Sequence, residues 1–587
     1  MRVRTVLEHD RFDASNPIGS VQSDPGLLYY LTERVAEADG LVPDDWGADP
    51  TIEYPEQVDV PARFTVGLEW VVRFGRWLVG ADMPLHVLCL WVTSLLASMT
   101  VIGVYLAGRE LCSSGGWGLL AAALWALLPA SYRTIGFVLV REDLALPFFA
   151  LHLGLGLLAA RTGKNSHGAL AGLALGLAAA TWHGAGQLAV FEAVALFALF
   201  LRTGANPLAH GAGRAGFLAY LAVTLLVPAL RAKAAFLAPP AAIGLGLLLA
   251  ARHTHTTARS RRVAAVAGVG LSLLVGGLMA RAMGTADDLS HVAALAWAKI
   301  SHVGLRPMDP THLSFDVRMM WQGPFETTSL DAAMQGFGFA LVALTVVLFL
   351  GQMDWARGKG GPVQLAASGL LMVSCLGAWM ILRLGVLVAL VAPVLISRGL
   401  QRSGSGRSIA GPAMGAGALL FLQLVAFSSW VTDHPLSWHG ALRTANLREE
   451  VAAVEAHVPP GEAVASDFMT STAILAHTGR PICVQPKWES AQARERVAEF
   501  WGAFYQGTPE DLHMLLTEQW GARYLLVDRF VMGELHASRY LAGLGRDVAL
   551  PDGSAAALLL EPGKLPPSGF QVLEEGEWFV LYRLATP

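Results

Sequence analysis

Twelve apolar runs, most of them near the length of a bilayer-crossing helix, govern what this 587-residue chain can fold into. Hydrocarbon about 30 Å thick takes roughly 20 residues of helix. The runs fall near 84–108, 115–130, 144–160, 167–182, 186–202, 214–230, 234–251, 262–283, 335–351, 363–380, 383–398 and 409–430. Several are short for a full span. A composition of 54% hydrophobic and 15% charged residues lies outside the soluble range and agrees with a polytopic α-helical membrane protein. A net charge of -4 gives no case for nucleic-acid binding. Cys89, Cys112, Cys375 and Cys483 lie far apart, with no metal-ligand spacing or disulfide framework.

Polar sequence brackets and interrupts the apolar block, which predicts three regions. Residues 1–83 form an outer N-terminal region, 84–430 a transmembrane core with an outer loop at 284–334, and 431–587 an extracytoplasmic α/β domain. Orientation follows from lysine and arginine in short loops. "RTGKNS" (161–166), "RTGANPLAHGAGR" (202–214), "RHTHTTARSRR" (252–262), "MDWARGKGG" (353–361) and "RGLQRSGSGR" (398–407) are all basic, which places them in the cytoplasm of a multi-pass cell-membrane protein. "RAK" at 231–233 is the exception, since it falls on the outer side. Residues 1–83 carry no signal peptide and no early helix, so a first helix upstream of Met1 is expected. In the last region "ARYLLVD" (522–528) suits a buried strand, and "FQVLEEGEWFVLYRL" (570–584) suits a hairpin about a Glu-Gly turn. "NLREEVAAVEAHV" (446–458) has helical spacing and stops at Pro459-Pro460.

The outer side gathers carboxylates: Asp24, then Glu142 and Asp143 in "FVLVREDLALPFF", then Asp309, Asp316, Glu326 and Asp331. Acids converging from separate loops suit a hard divalent ion, Mg²⁺ or Mn²⁺. Such an ion would neutralise a departing diphosphate. The plain alternative for any one of them is a solvated acid at the interface. Arg383 sits in "WMILRLGVLVALVAPVLI", where an arginine is costly unless it faces a cavity or snorkels to the interface. Its planar fork suits phosphate oxygens. His183, between Trp182 and Gly184 at a helix–helix turn, either contacts glycan or phosphate or is an interfacial histidine with a backbone partner.

These residues resemble a family. "SDPGLLYYLTERV" followed by "YP" at 54–55 is similar to the first outer loop of the oligosaccharyltransferase catalytic subunit. "SYRTIGFVLVREDL" (131–144) is similar to its second acidic motif, "TWHG" (181–184) to its Trp-Gly turn, and "ASDFM" (465–469) to its Trp-Trp-Asp signature. The resemblance implies a GT-C-like fold of about 12–13 transmembrane helices. It also implies Asp24, Glu142 and Glu326 as catalytic residues, and Asp24, Glu142 and Asp143 as ligands of Mn²⁺ or Mg²⁺. Arg383, Asp467 and His183 then bind substrates, namely a polyprenyl-diphosphate-linked glycan and an acceptor protein or peptide.

Three positions depart from the pattern. Counted from Arg133, the motif's first acid falls on Val140 and only the second on Glu142. Ala465-Ser466 replace the tryptophan pair, and the setting of Glu326 does not follow the family's Thr-x-x-Glu spacing. Two other expectations therefore stand beside the first. One is a GT-C enzyme using a polyprenyl-monophosphate sugar on a lipid, glycan or Ser/Thr acceptor. The other is a non-catalytic membrane scaffold or transporter.

Overall fold

Each of the twelve apolar runs forms a helix in the computed structural model, which describes residues 2–9, 12–132, 134, 139–253, 257–288, 290–403, 410–433, 441–545, 548–561 and 566–585. Two helices come first, α1 (Asp24–Glu37) and α2 (Gly67–Val79). The bundle follows as α3 (Leu85–Cys112), α4 (Gly115–Ala126), α5 (Glu142–Thr162), α6 (Asn165–Thr181), α7 (Gly184–Thr203) and α8 (Gly211–Leu226). It continues as α9 (Pro239–Arg252), α10 (Ala258–Ala282), α11 (Ala340–Arg357), α12 (Pro362–Met380), α13 (Gly385–Ser403) and α14 (Ala410–Asp433). Among the described residues, eight helices are long and apolar enough to cross a membrane, and α4, α8 and α9 are apolar but shorter. The protein is thus a multi-pass membrane protein. At 1.5 Å per residue a 12-residue helix such as α4 covers only about 18 Å, so the shorter helices lean on longer neighbours rather than span alone.

Small residues let these helices touch. A Cβ added at Gly168 would lie 1.9 Å from the Ala212 carbonyl oxygen, and one at Gly172 would lie 1.8 Å from that of Gly216. Backbones of α6 and α8 therefore meet along a small-xxx-small stripe, which favours van der Waals packing where lipid offers no hydrophobic drive. Gly172→Leu is expected to cost at least about 3 kcal/mol by overpacking and to abolish the monodisperse peak in detergent gel filtration. Gly277→Leu, at a position with nothing within 4 Å, is expected to keep that peak.

The basic loops gather at one end of the bundle. Arg202 donates to the Ala356 carbonyl at 2.9 Å, and Arg262 donates to the Arg202 carbonyl at 3.3 Å. At the other end, the N-terminal stretch and the C-terminal region share one core. Val21, Leu27, Leu31, Val35 and Leu68 pack with Val454, Ile474, Leu526 and Leu581.

The C-terminal region holds helices α15 (Ala441–His457), α16 (Phe468–Thr478) and α17 (Ala491–Tyr505). A short hairpin, β1 (Asp49–Glu53) with β2 (Glu56–Val58), lies earlier in the chain. The main sheet comprises β3 (Val464–Ala465), β4 (Tyr524–Asp528), β5 (Phe570–Glu575) and β6 (Phe579–Leu584), in the order β3-β4-β6-β5. Strands β3 and β4 run parallel, and the remaining pairs are antiparallel. Every residue of β4 is buried, as expected of a central apolar strand.

Candidate active site

The site forms where α1 and α5 begin and where α12 gives way to α13. Helix α1 is seated on α16. The Ser23 N–H donates to the Met469 carbonyl at 3.3 Å, and Thr472 Oγ1 donates to the Ser23 carbonyl at 2.9 Å. A Cβ at Gly26 would come within 2.8 Å of Thr472 Oγ1, so a small residue is required for this contact. Asp467 makes the seat. Its Oδ1 accepts from the N–H groups of Met469 at 2.8 Å and Thr470 at 3.2 Å, which caps α16. Asp467, expected to bind substrate, is fully buried; its Oδ1 caps α16 and so helps to place Asp24.

Arg383 lies in a single 3-10 turn, Leu382–Leu384, between α12 and α13. The loop before α11 straps this turn down. The Leu382 N–H donates to the Glu326 carbonyl at 2.9 Å, and the Thr328 N–H donates to the Trp379 carbonyl at 3.0 Å. Buried Lys299 donates to the carbonyls of Phe325, at 2.5 Å, and Met380. Thus Glu326 contributes its backbone. Its carboxylate, expected to be catalytic, turns outward, 51% exposed and 3.7 Å from Arg306.

The Arg383 guanidinium is ion-paired through Nε to the Glu142 carboxylate and lies over the rings of Trp182 at 5.0 Å and Phe325 at 5.5 Å. Glu142 and Asp143 open α5, where the positive end of the helix dipole favours acids. All three charges of the "RED" corner are buried, and each has a partner on a different element. Arg141 pairs with Glu69 of α2 at 2.7 Å, and Glu142 pairs with Arg383. Asp143 accepts from Thr134 Oγ1 at 2.5 Å and faces Arg2 at 3.5 Å. Val140, at the first acid position of the motif, offers no ligand; Arg133, from which that spacing is counted, lies outside the described residues.

A third contribution comes from the segment before α17. Lys487 Nζ lies 3.0 Å from Asp24 Oδ1, and Glu489 Oε1 lies 3.9 Å from His183 Nδ1. Burial alone would raise the Glu489 carboxyl, but Lys487, His183 and Lys233 outweigh it and hold the group down to about 2. Burial pushes His183 well below its ordinary value. Arg383 is in electrostatic reach of both Asp24 and Glu489. The sequence reading missed Lys487, Glu489 and Lys233. "QPKWES", with opposite charges flanking a tryptophan, was the available signal for the first two, and the misplaced "RAK" for the third.

The donor set does not suit the expected Mn²⁺ or Mg²⁺. Asp24, Glu142 and Asp143 each face a cation of the chain: Lys487, Arg383 and Arg2. Among the described residues, no three His, Cys, Asp or Glu side chains come together as a metal site. A divalent ion needs several carboxylate or carbonyl oxygens with charge to spare. Here that charge is already met.

A helical membrane bundle with a charged site at its rim and a mixed α/β region packed over that rim gives the chain a GT-C-like fold, that of its structural neighbours. Within it, the chain shares its fold with archaeal oligosaccharyltransferase AglB from Archaeoglobus fulgidus. The structure of AglB in complex with an inhibitory peptide and a dolichol-phosphate matches with a TM-score of 0.66 at 14% identity, covering 92% of this chain and 69% of that one. The enzyme tethered to an acceptor peptide containing the NVT sequon matches with a TM-score of 0.62 at 13% identity, covering 92% and 70%. The A. fulgidus enzyme in complex with Zn and sulfate matches with a TM-score of 0.56 at 13% identity, covering 90% and 67%. No family model and no curated protein sequence matches the chain.

Proposed function

We propose that the chain is a membrane glycosyltransferase that moves a glycan from a polyprenyl-diphosphate donor to an asparagine of an acceptor protein, on the extracytoplasmic face and with inversion at the sugar. The observation that carries this reading is Arg383, set on Glu142 and near Asp24 at the bundle rim, in a fold shared with a protein held in complex with dolichol-phosphate. The basic loops, which collect at the end opposite the site, support this choice of face.

In the proposed reaction the acceptor nitrogen attacks C1 of the sugar. A C–N bond forms as the C1–O bond breaks, and the bonding pair leaves with the lipid diphosphate. Arg383 and Lys487 meet the charge that develops there, the kind of preorganised stabilisation that dominates such transfers. These side chains take the electrostatic part first expected of Mn²⁺ or Mg²⁺. Asp24, 44% exposed, is the carboxylate that meets the acceptor N–H and receives its proton. Glu142 is a positioning residue that holds Arg383.

A second reading has one observation in its favour. Ala465 and Ser466, both fully buried, stand where the resembling family has the tryptophan pair that helps read the Ser or Thr of a sequon. That favours a lipid, glycan or Ser/Thr acceptor served by a polyprenyl-monophosphate sugar. Purified protein, polyprenyl-diphosphate glycan and a fluorescent Asn-x-Thr peptide test the choice. A gel shift of this peptide, absent when Asn is changed to Gln, is the expected result. Transfer only from the monophosphate donor, and not to this peptide, would establish the second reading. No transfer from either donor would leave a scaffold or transporter.

A further inference from the structure

Away from the charged rim, the bundle holds a cavity of about 810 Å³. That falls within the roughly 300–1,000 Å³ of sites that take a small ligand. It runs from Gly163 and His210, in the basic loops, to Ala150 and Ala189, within the spans of α5 and α7. Most of its wall is glycine, alanine and aliphatic side chains, and Asp24, Glu142, Arg383 and Lys487 take no part in it. His152 of α5 and Glu192 of α7 meet on this wall. Ionisable residues inside a membrane span are costly, and those that face a cavity mark a site unless packing uses them fully.

Their hydrogen bonds fix the charge of the pair. His152 Nδ1 lies 2.9 Å from the Ala171 carbonyl oxygen of α6, so Nδ1 carries a proton. His152 Nε2 lies 2.6 Å from Glu192 Oε2, and that contact holds a second proton on one side or the other. Imidazolium with carboxylate and imidazole with carboxylic acid both sum to zero, so the pair is neutral. A pair that only joined α5, α6 and α7 would be complete with these contacts. Glu192 Oε1 is left over. It accepts no hydrogen bond among the described residues, and the Glu192 side chain is 23% exposed. The Asn206 amide on the same wall is engaged, accepting from the Leu208 N–H at 2.9 Å and donating to the Leu247 carbonyl at 2.8 Å. Tyr220 of α8 adds a hydroxyl that can donate or accept.

We propose that this cavity binds an uncharged lipid alcohol, its hydroxyl donating to Glu192 Oε1 and its chain filling the aliphatic remainder. An acceptor left facing hydrocarbon is unfavourable, and a donor on the guest completes it. A charged guest would meet a neutral pair and find no counter-charge there. An ether or a bare hydrocarbon has nothing to donate. The site does not depend on the transfer reaction proposed above.

Tritiated oleyl alcohol bound by the full chain in nanodiscs, less the uptake of empty nanodiscs, tests the site. Saturable binding is expected, with oleyl methyl ether, oleic acid and oleylamine each competing at least about tenfold more weakly than unlabelled alcohol. Glu192→Leu should weaken alcohol binding about tenfold. Glu192→Gln should stay within about twofold, because its amide can donate to His152 Nε2 while its oxygen still meets the hydroxyl. Binding is read per folded protein; should Glu192→Leu not fold, the methyl ether decides on wild type alone. Equal competition by the ether would reduce the cavity to hydrocarbon filling, and tighter binding of the acid or the amine would overturn the uncharged guest. Loss in Glu192→Gln equal to that in Glu192→Leu would show that a charge is needed rather than a neutral acceptor. Displacement by polyprenyl diphosphate as strong as by the alcohol would make the cavity a seat for the donor's tail instead. Absence of saturable binding would remove the site, and none of these results would touch the transfer reaction.

Discussion

Arg383→Ala is expected to lower glycan transfer about 100- to 1,000-fold, the usual cost of deleting one preorganised donor to a developing anion. Arg383 lies over Trp182 and Phe325 and is held by the fully buried Glu142, so its fork is fixed before any substrate arrives. Breaking a buried ion pair also costs about 3–5 kcal/mol of stability, because Glu142 is left uncompensated. The two effects separate in a double variant. Glu142→Gln with Arg383→Met removes both charges and should recover most of the melting temperature while transfer stays low. Rates are read per folded protein. Recovery of transfer along with stability would show that Arg383 only supports the fold.

Transfer is expected to survive chelation. Dialysis against EDTA should cost less than about twofold, where an enzyme relying on a metal to stabilise the leaving group would lose on the order of 100-fold or more. The reason is charge balance: Asp24, Glu142 and Asp143 already face Lys487, Arg383 and Arg2. Electron paramagnetic resonance of Mn²⁺ titrated into the purified protein should show only free ion. A collapse of transfer in EDTA that Mn²⁺ reverses, with a bound-ion spectrum, would mean that these ion pairs open to admit a metal.

All twelve bundle helices were legible, because an apolar run of the right length has no other way to satisfy its backbone in lipid. The β5–β6 hairpin and the buried strand β4 were legible for a similar local reason, their turn residues and apolar runs. Asp24, Glu142, Asp143 and Arg383 were singled out as charges beside or within greasy sequence, a signal that needs no partner to be seen. That Asp467 caps α16 was not legible, because a capping aspartate and a ligand-binding one look alike along the chain; only the N–H groups of Met469 and Thr470 show the cap. The strap that the Glu326 backbone makes to Leu382 was not legible either, because backbone and side chain of one residue can serve opposite directions.

By itself, then, the sequence determined where the helices run and at which end of the bundle the charges collect, since apolar length and lysine and arginine placement act locally. Only the tertiary structure decided which charge neutralises which. Glu142 and Arg383 are 241 residues apart, and Lys487 reaches Asp24 across nearly the whole chain. Such pairs obey distance through space, and the low dielectric that makes them strong exists only once the helices and the α/β region have closed over them.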